Sequence, residues 1–130
     1  MKNSMKTATN LAMILFLLTM AEGCIRKNDN SDKHRLARPK MAVIEVAIDT
    51  YLLDTGQYPK TLEELLKPLV GLEDKWDGPY IKASQLLDPW GKQYIYVPEG
   101  EVNPGSYDLI SFGADGQPEG EGFNADIYND

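Results

Sequence analysis

Leu109-Ile110-Ser111-Phe112-Gly113-Ala114-Asp115-Gly116-Gln117-Pro118-Glu119-Gly120-Glu121-Gly122-Phe123-Asn124-Ala125-Asp126-Ile127 places four glycines and a proline among four carboxylates, with an apolar residue on each flank. Such a composition excludes a helix and is too glycine-rich for an ordinary strand. The stretch reads as a loop that closes on itself. Closure gathers Asp115, Glu119, Glu121 and Asp126, and like charges at that density repel. A hard cation with oxygen ligands relieves the repulsion, which in an extracytoplasmic setting means Ca²⁺. Counted from Asp115, Gly120 and Asp126 fall at positions six and twelve of an EF-hand loop. Gln117 and Pro118 break that pattern, and no helix follows, so an EF-hand is rejected.

Working back from the loop, Tyr107-Asp108-Leu109-Ile110-Ser111-Phe112 and Gln93-Tyr94-Ile95-Tyr96-Val97 are β-rich runs. The loop between them contains Asn103-Pro104-Gly105, and together they predict an antiparallel hairpin. Ile127-Tyr128 is expected to add a short third strand. Asp88-Pro89-Trp90-Gly91 reads as a turn, and residues 70–90 as a long loop that packs Trp76 and Trp90. Earlier still, Met41, Ile44, Ile48, Tyr51 and Leu52 form one apolar stripe at helical spacing. Pro39 suits the first turn of that helix, and Asp54-Thr55-Gly56 its end. Thr61 and Glu64 have the spacing of a capping box for a short helix through Leu62, Leu65 and Leu66. One long helix over a small antiparallel sheet buries both apolar faces, so the predicted class is α+β, closed by a Ca²⁺-binding C-terminal loop.

The chain has 130 residues, 13 basic and 20 acidic, for a net charge of −7. That balance argues against a nucleic-acid partner. Residues 26–40 are predominantly basic, whereas eight acids and no Lys or Arg follow Lys92. At the start, Lys2 and Lys6 precede the apolar run Leu11 to Met20, followed by Ala21-Glu22-Gly23-Cys24. A basic start, a short apolar run and small residues predict a secretory signal over residues 1–23. The lone cysteine excludes an internal disulfide. Its place after Gly23 resembles a bacterial lipobox, although Ala21 stands where leucine is preferred. That resemblance implies a lipidated Cys24 as the membrane contact. Residues 24–37 are then expected to form a flexible tether, and 38–130 the globular domain. Ile25 after the cysteine resembles the pattern sorted to the outer membrane, placing the domain in the cell envelope, facing the periplasm.

The order Tyr51-Leu52-Leu53-Asp54-Thr55-Gly56-Gln57-Tyr58-Pro59, a short leucine helix, Leu87-Asp88-Pro89-Trp90-Gly91-Lys92-Gln93-Tyr94, Tyr107 to Gly116 and Asn124-Ala125-Asp126-Ile127 closely resembles the globular domain of type II secretion system protein G, the major pseudopilin, over about residues 37–128. The resemblance implies Ca²⁺ in the C-terminal loop. The side chains of Asp115 and Asp126 are its implied ligands, joined by the carbonyl of Phe112 and by Asn124 or Ser111. The departure is N-terminal. A prepilin-peptidase site of the Gly-Phe-Thr-Leu-Ile-Glu kind is absent from this sequence, and Cys24-Ile25-Arg26-Lys27-Asn28 makes a poor filament helix.

Enzyme readings find little support. His34 is the only histidine and lies in the expected tether, and Ser111 has no neighbouring base in sequence. Glu119 and Glu121 stand on a glycine-rich loop, a poor frame for acid–base chemistry. Trp76, Trp90, Tyr94 and Tyr96 read as packing residues. The expected function is therefore a non-enzymatic, Ca²⁺-stabilised, pseudopilin-like lipoprotein that contacts secretion or pilus machinery and takes no small-molecule substrate. A filament subunit with a divergent N-terminus and a stand-alone Ca²⁺-dependent binding lipoprotein are the alternatives.

Overall fold

The computed structural model describes residues 4–130, with side chains described from residue 29 onward. The chain divides into two compact units, Met1–Asp32 and Lys33–Asp130. The first is helical from Ser4. Among the described residues, no helix is long and apolar enough to cross a membrane.

Helix α1 spans Ser4–Thr55 and contains Pro39. The helix was expected to begin at Pro39, and the structure corrects that boundary. Proline lacks the N–H that would bond to the carbonyl four residues back, here that of Arg35. Arg35 lies at an exposed position, where water can serve that carbonyl. A tertiary contact also holds the preceding turn: Ala37 is buried, and the Tyr94 hydroxyl donates to its carbonyl at 2.9 Å. The segment 24–37, expected to be a flexible tether, therefore lies within α1, and the second compact unit starts at Lys33 rather than at 38.

The core face of α1 in that unit is Ala37, Met41, Ile44, Ala47, Ile48, Tyr51 and Thr55, all buried. Leu52, expected in the stripe, is only half-buried. Burying Ile44 and Ile48 completely contributes about 1.5–3 kcal/mol each. The helix stops at Gly56, whose φ of +79° is the left-handed conformation that ends helices, and the Gly56 N–H donates to the Leu52 carbonyl at 2.8 Å.

The sheet has three antiparallel strands in the order β1-β2-β3: β1 Ile95–Val97, β2 Asp108–Ser111 and β3 Ile127–Tyr128. Its register sets Tyr96 opposite Leu109, and Ser111 opposite Ile127. Tyr107, Leu109 and Ile127 join the core cluster with α1. The α+β plan of one long helix with a small antiparallel sheet is as the sequence predicts.

Thr61 and Glu64 depart from the capping box. Leu62–Leu65 is a 3₁₀ turn, and the Thr61 side chain caps nothing. Glu64 turns inward instead, where its carboxylate accepts the Tyr51 hydroxyl at 2.7 Å, while the Trp76 indole N–H donates to its carbonyl at 2.8 Å. Tyr80 stacks edge-on against both Tyr51 and Trp76, so the 70–90 segment is fastened by aromatic rings and Trp76 and Trp90 pack against the core.

Burial raises the pKa of Tyr51 to about 12, with the Glu64 hydrogen bond adding to it. Burial likewise pushes up Tyr94, Tyr96 and Tyr107. An unfolded tyrosine ionises near pH 10. Above that the native state holds protons the unfolded chain has lost, so the tyrosines' contribution to stability is unchanged below about pH 10 and falls as pH rises further. Tyrosinate absorbance is expected to appear together with loss of circular dichroism. Ionisation of these tyrosines in a still-folded head would contradict this.

Candidate cation-binding loop

The C-terminal loop is built on two buried carboxylates that the sequence did not single out as site residues. Asp88 is buried at the start of the Asp88-Pro89-Trp90-Gly91 turn. Its Oδ1 accepts the N–H groups of Trp90 at 3.0 Å and Lys92 at 2.9 Å, and its Oδ2 accepts the Ser111 hydroxyl at 2.7 Å. This ties the turn to the end of β2, where the loop begins. Asp108, at the start of β2, gathers the N–H groups of Glu101, Val102 and Asn103 at 2.7–2.9 Å, with the Asn103 amide adding a fourth bond at 3.1 Å. Burial alone would raise its pKa, but the donated hydrogen bonds overcome that and hold it below the ordinary carboxylate value. Asn129 completes the frame by accepting the Leu109 N–H at 2.7 Å.

On this frame the loop folds back as its glycines predict. The Ala114 N–H donates to the Phe123 carbonyl at 2.8 Å. A Cβ on Gly113, at φ +69°, would lie 2.7 Å from the Phe123 carbonyl oxygen and 2.9 Å from that of Ala125. Only glycine permits that approach. The two limbs of the loop therefore press together at Gly113, with main-chain carbonyls between them. Residues Gly122–Asn124 make a 3₁₀ turn, and Phe123 meets the His34 ring edge-on.

The proposed ligands fall into distinct settings. Asp126 is half-buried; its Oδ2 accepts the Glu119 N–H at 3.0 Å, and its Oδ1 is buried with no hydrogen-bond partner. Asp115 is exposed, and its Oδ1 accepts the Gln117 N–H at 3.1 Å. Phe112 is half-buried and Asn124 exposed. The Ser111 hydroxyl is already engaged by Asp88 and by the Gly113 N–H. Closure does not gather the four carboxylates as the charge pattern predicts: the Glu119 and Glu121 side chains are exposed to solvent, which relieves their repulsion, and Glu119 takes φ +67° where its N–H meets Asp126. Lys92 lies across Gly116, with its ammonium 3.4 Å from the Asp115 carbonyl. Among the described residues, no three His, Cys, Asp or Glu side chains cluster as a metal site. A cation here would be held by at most two carboxylates and completed by carbonyls. The orphaned Asp126 Oδ1 fits such a group. Cys24 and the segment 1–23 have side chains outside the described residues.

A long helix against a three-stranded antiparallel sheet, closed by a glycine and aspartate loop, matches a pseudopilin head. The crystal structure of the major pseudopilin from the type 2 secretion system of enterohaemorrhagic Escherichia coli superposes with a TM-score of 0.61 at 27% identity, covering 80% of this chain and 91% of that one. A family model for type II secretion system protein G matches residues 24–130. The chain is 32% identical over 117 residues to the type II secretion system core protein G of Xanthomonas campestris pv. campestris, covering 90% of this chain and 80% of that protein. It is 33% identical over 132 residues to the core protein G of Vibrio cholerae, covering 95% and 88%. The chain belongs to the type II secretion system protein G family.

Proposed function

We propose that this chain is a non-enzymatic pseudopilin component of a type II secretion or related pilus-type machinery, stabilised by Ca²⁺ in its C-terminal loop. The observation that carries the metal reading is the buried, unpartnered Oδ1 of Asp126. A buried carboxylate oxygen without a donor costs about 1–3 kcal/mol, more when charged, and a cation removes that cost. Asp126 and Asp115 would hold the ion, with the carbonyl of Phe112 and with Asn124 contributing. The ion would serve folding, because it binds the closed loop and not the unfolded chain. Comparison of thermal melts with Ca²⁺ and with chelator tests this, and identical midpoints would rule it out.

Envelope attachment through an acylated Cys24, facing the periplasm at the outer membrane, is supported by the order of basic start, apolar run, small residues and cysteine. The partners would be proteins of the secretion machinery. A second reading, a filament subunit that keeps its N-terminal helix, is favoured by two observations. Helix α1 spans Ser4–Thr55, and the Vibrio cholerae relative aligns with 95% of this chain, too much to leave out the apolar run 11–20. Intact mass of the membrane-bound protein separates the two. A mature chain beginning at diacylated Cys24 supports the lipoprotein, and retention of residues 11–23 refutes it.

A further inference from the structure

Lys92 is the last basic residue of the chain, and eight acids follow it. Its side chain is exposed, but its root is fixed. The Lys92 N–H donates to Asp88 Oδ1 at 2.9 Å, and the Lys92 carbonyl accepts the Asp88 N–H at 2.6 Å. Asp88 in turn accepts the Ser111 hydroxyl at 2.7 Å, which holds the lysine against the residue where the loop begins. From there the side chain runs across Gly116. A Cβ at Gly116 would run into Cδ, Cε and Nζ of Lys92. Gly116 also takes φ +64°, so the turn and the crossing lysine both favour glycine there. The ammonium ends 3.4 Å from the Asp115 carbonyl. The fold thus brings one positive charge to a loop whose own charged side chains, Asp115, Glu119, Glu121 and Asp126, are all negative.

We propose that Lys92 is the loop's internal counter-ion and that it lowers the loop's affinity for a bound cation, an inference that rests on the Ca²⁺ reading above. With no ion bound, the ammonium offsets part of the negative charge and ties the main chain at Asp115 to the Asp88 turn. With an ion on the Asp115 and Asp126 carboxylates, the same ammonium is a like charge. It reaches the main chain of Asp115 while the ion is held by the side chain of that residue. The two positive charges therefore come within about a Debye length, ~8–10 Å at ordinary salt, where screening is incomplete. Two effects oppose each other. Holding the loop closed favours entry of the ion, and repulsion disfavours it. The tie is one hydrogen bond at an exposed site and is worth little. The repulsion acts on a dication, which doubles it, so it wins. The result is a loop that stays closed without the ion and releases it more readily than its carboxylates alone would.

The test titrates the full chain in detergent with Ca²⁺ at low salt, in competition with a chromophoric Ca²⁺ indicator. Wild type is compared with Lys92→Arg, Lys92→Met and Lys92→Glu. Methionine keeps an unbranched apolar stem over Gly116 and removes the charge. Lys92→Met should bind Ca²⁺ roughly fivefold more tightly than the wild type, and Lys92→Glu more tightly again by a similar factor, while Lys92→Arg should match the wild type. The gains should shrink at high salt. In chelator the order should invert, with Lys92→Met melting about 2–4 °C below the wild type and Lys92→Glu lower still. Loss of a merely structural lysine would weaken ion binding and stability together. Tighter binding by a less stable ion-free head is the mark of a counter-ion. If the wild type binds Ca²⁺ but Lys92→Met binds it no more tightly, the proposal falls and the Ca²⁺ reading stands. A Lys92→Arg variant shifted as far as Lys92→Met, or a Lys92→Met variant as stable as the wild type in chelator, would also overturn it. A wild type that takes no Ca²⁺ from the indicator would refute both.

Discussion

Asp108→Ala should lower the thermal midpoint of the head by roughly 12–24 °C. Asp108 accepts four hydrogen bonds, three of them from consecutive main-chain N–H groups of the β1–β2 connection. Alanine leaves those donors without their acceptor and removes a charge-assisted set, at a cost of about 3 kcal/mol. In a domain of this size each kcal/mol shifts the midpoint by about 4–8 °C. Asp108→Asn should fall between the two, because its amide keeps one acceptor oxygen and turns a donor toward N–H groups that already donate. The pH dependence has a definite sign. The folded pKa of Asp108 lies below the ordinary value, so its contribution is complete above about pH 4 and is lost as pH falls through the folded pKa. The gap between wild type and Asp108→Ala should narrow on acidification below pH 4. A variant that melts within about 3 °C of the wild type at pH 7 would show that the connection does not depend on this carboxylate.

That network marks where sequence reading succeeds and where it stops. The core stripe from Met41 to Tyr51 was legible because a 3.6-residue period depends only on residues close in the chain. The three strands were legible for the same reason. The start of α1 was not. Pro39 obeys a local rule for first turns, and what overrides it is Tyr94, 57 residues away, donating to Ala37. Glu64 departs from its local rule in the same way. Its spacing from Thr61 fits a cap, but the Tyr51 hydroxyl, 13 residues back, provides a buried donor that holds it inward. Asp88 carried a partial signal, since an aspartate before Pro-Trp-Gly often bonds main-chain N–H groups just ahead. Its bond to Ser111 carried none. Asp108 read as one more acid in an acidic tail, because its partners form a nest only after the hairpin closes.

The closure of the loop was legible: the limbs meet at Gly113, as the glycine pattern predicts. The gathering of four carboxylates was not: Asp115, Glu119 and Glu121 are exposed, and among the described residues no three acids cluster. Two features were invisible. Lys92 lies 23 residues before Asp115, yet its ammonium reaches the Asp115 carbonyl. Ser111 is next to the loop in sequence, yet its hydroxyl is engaged by Asp88. Both depend on the turn at Asp88 lying against the end of β2.

Removing Ca²⁺ from the wild type should lower its melting midpoint by about 10–20 °C. That is the shift for an ion present at about 100 times its dissociation constant, which supplies roughly 2.7 kcal/mol. Asp126→Asn gives the sharper reading, because its effect should change sign with the ion. In chelator the wild type leaves one carboxylate oxygen buried without a donor, whereas asparagine removes the charge and keeps an oxygen for the Glu119 N–H. The variant should then be as stable as the wild type or more so. In millimolar Ca²⁺ the order should reverse, because the variant has lost an anionic ligand while the wild type gains the binding energy. Asp115→Ala should also reduce the Ca²⁺ response, but without the gain in chelator, because Asp115 is exposed and its charge is already solvated. Mg²⁺ should substitute poorly, since it demands a near-octahedral shell and releases water reluctantly. If Asp126→Asn raises the midpoint equally with and without Ca²⁺, the orphaned oxygen is an uncompensated cost of the loop's closure and no cation occupies it.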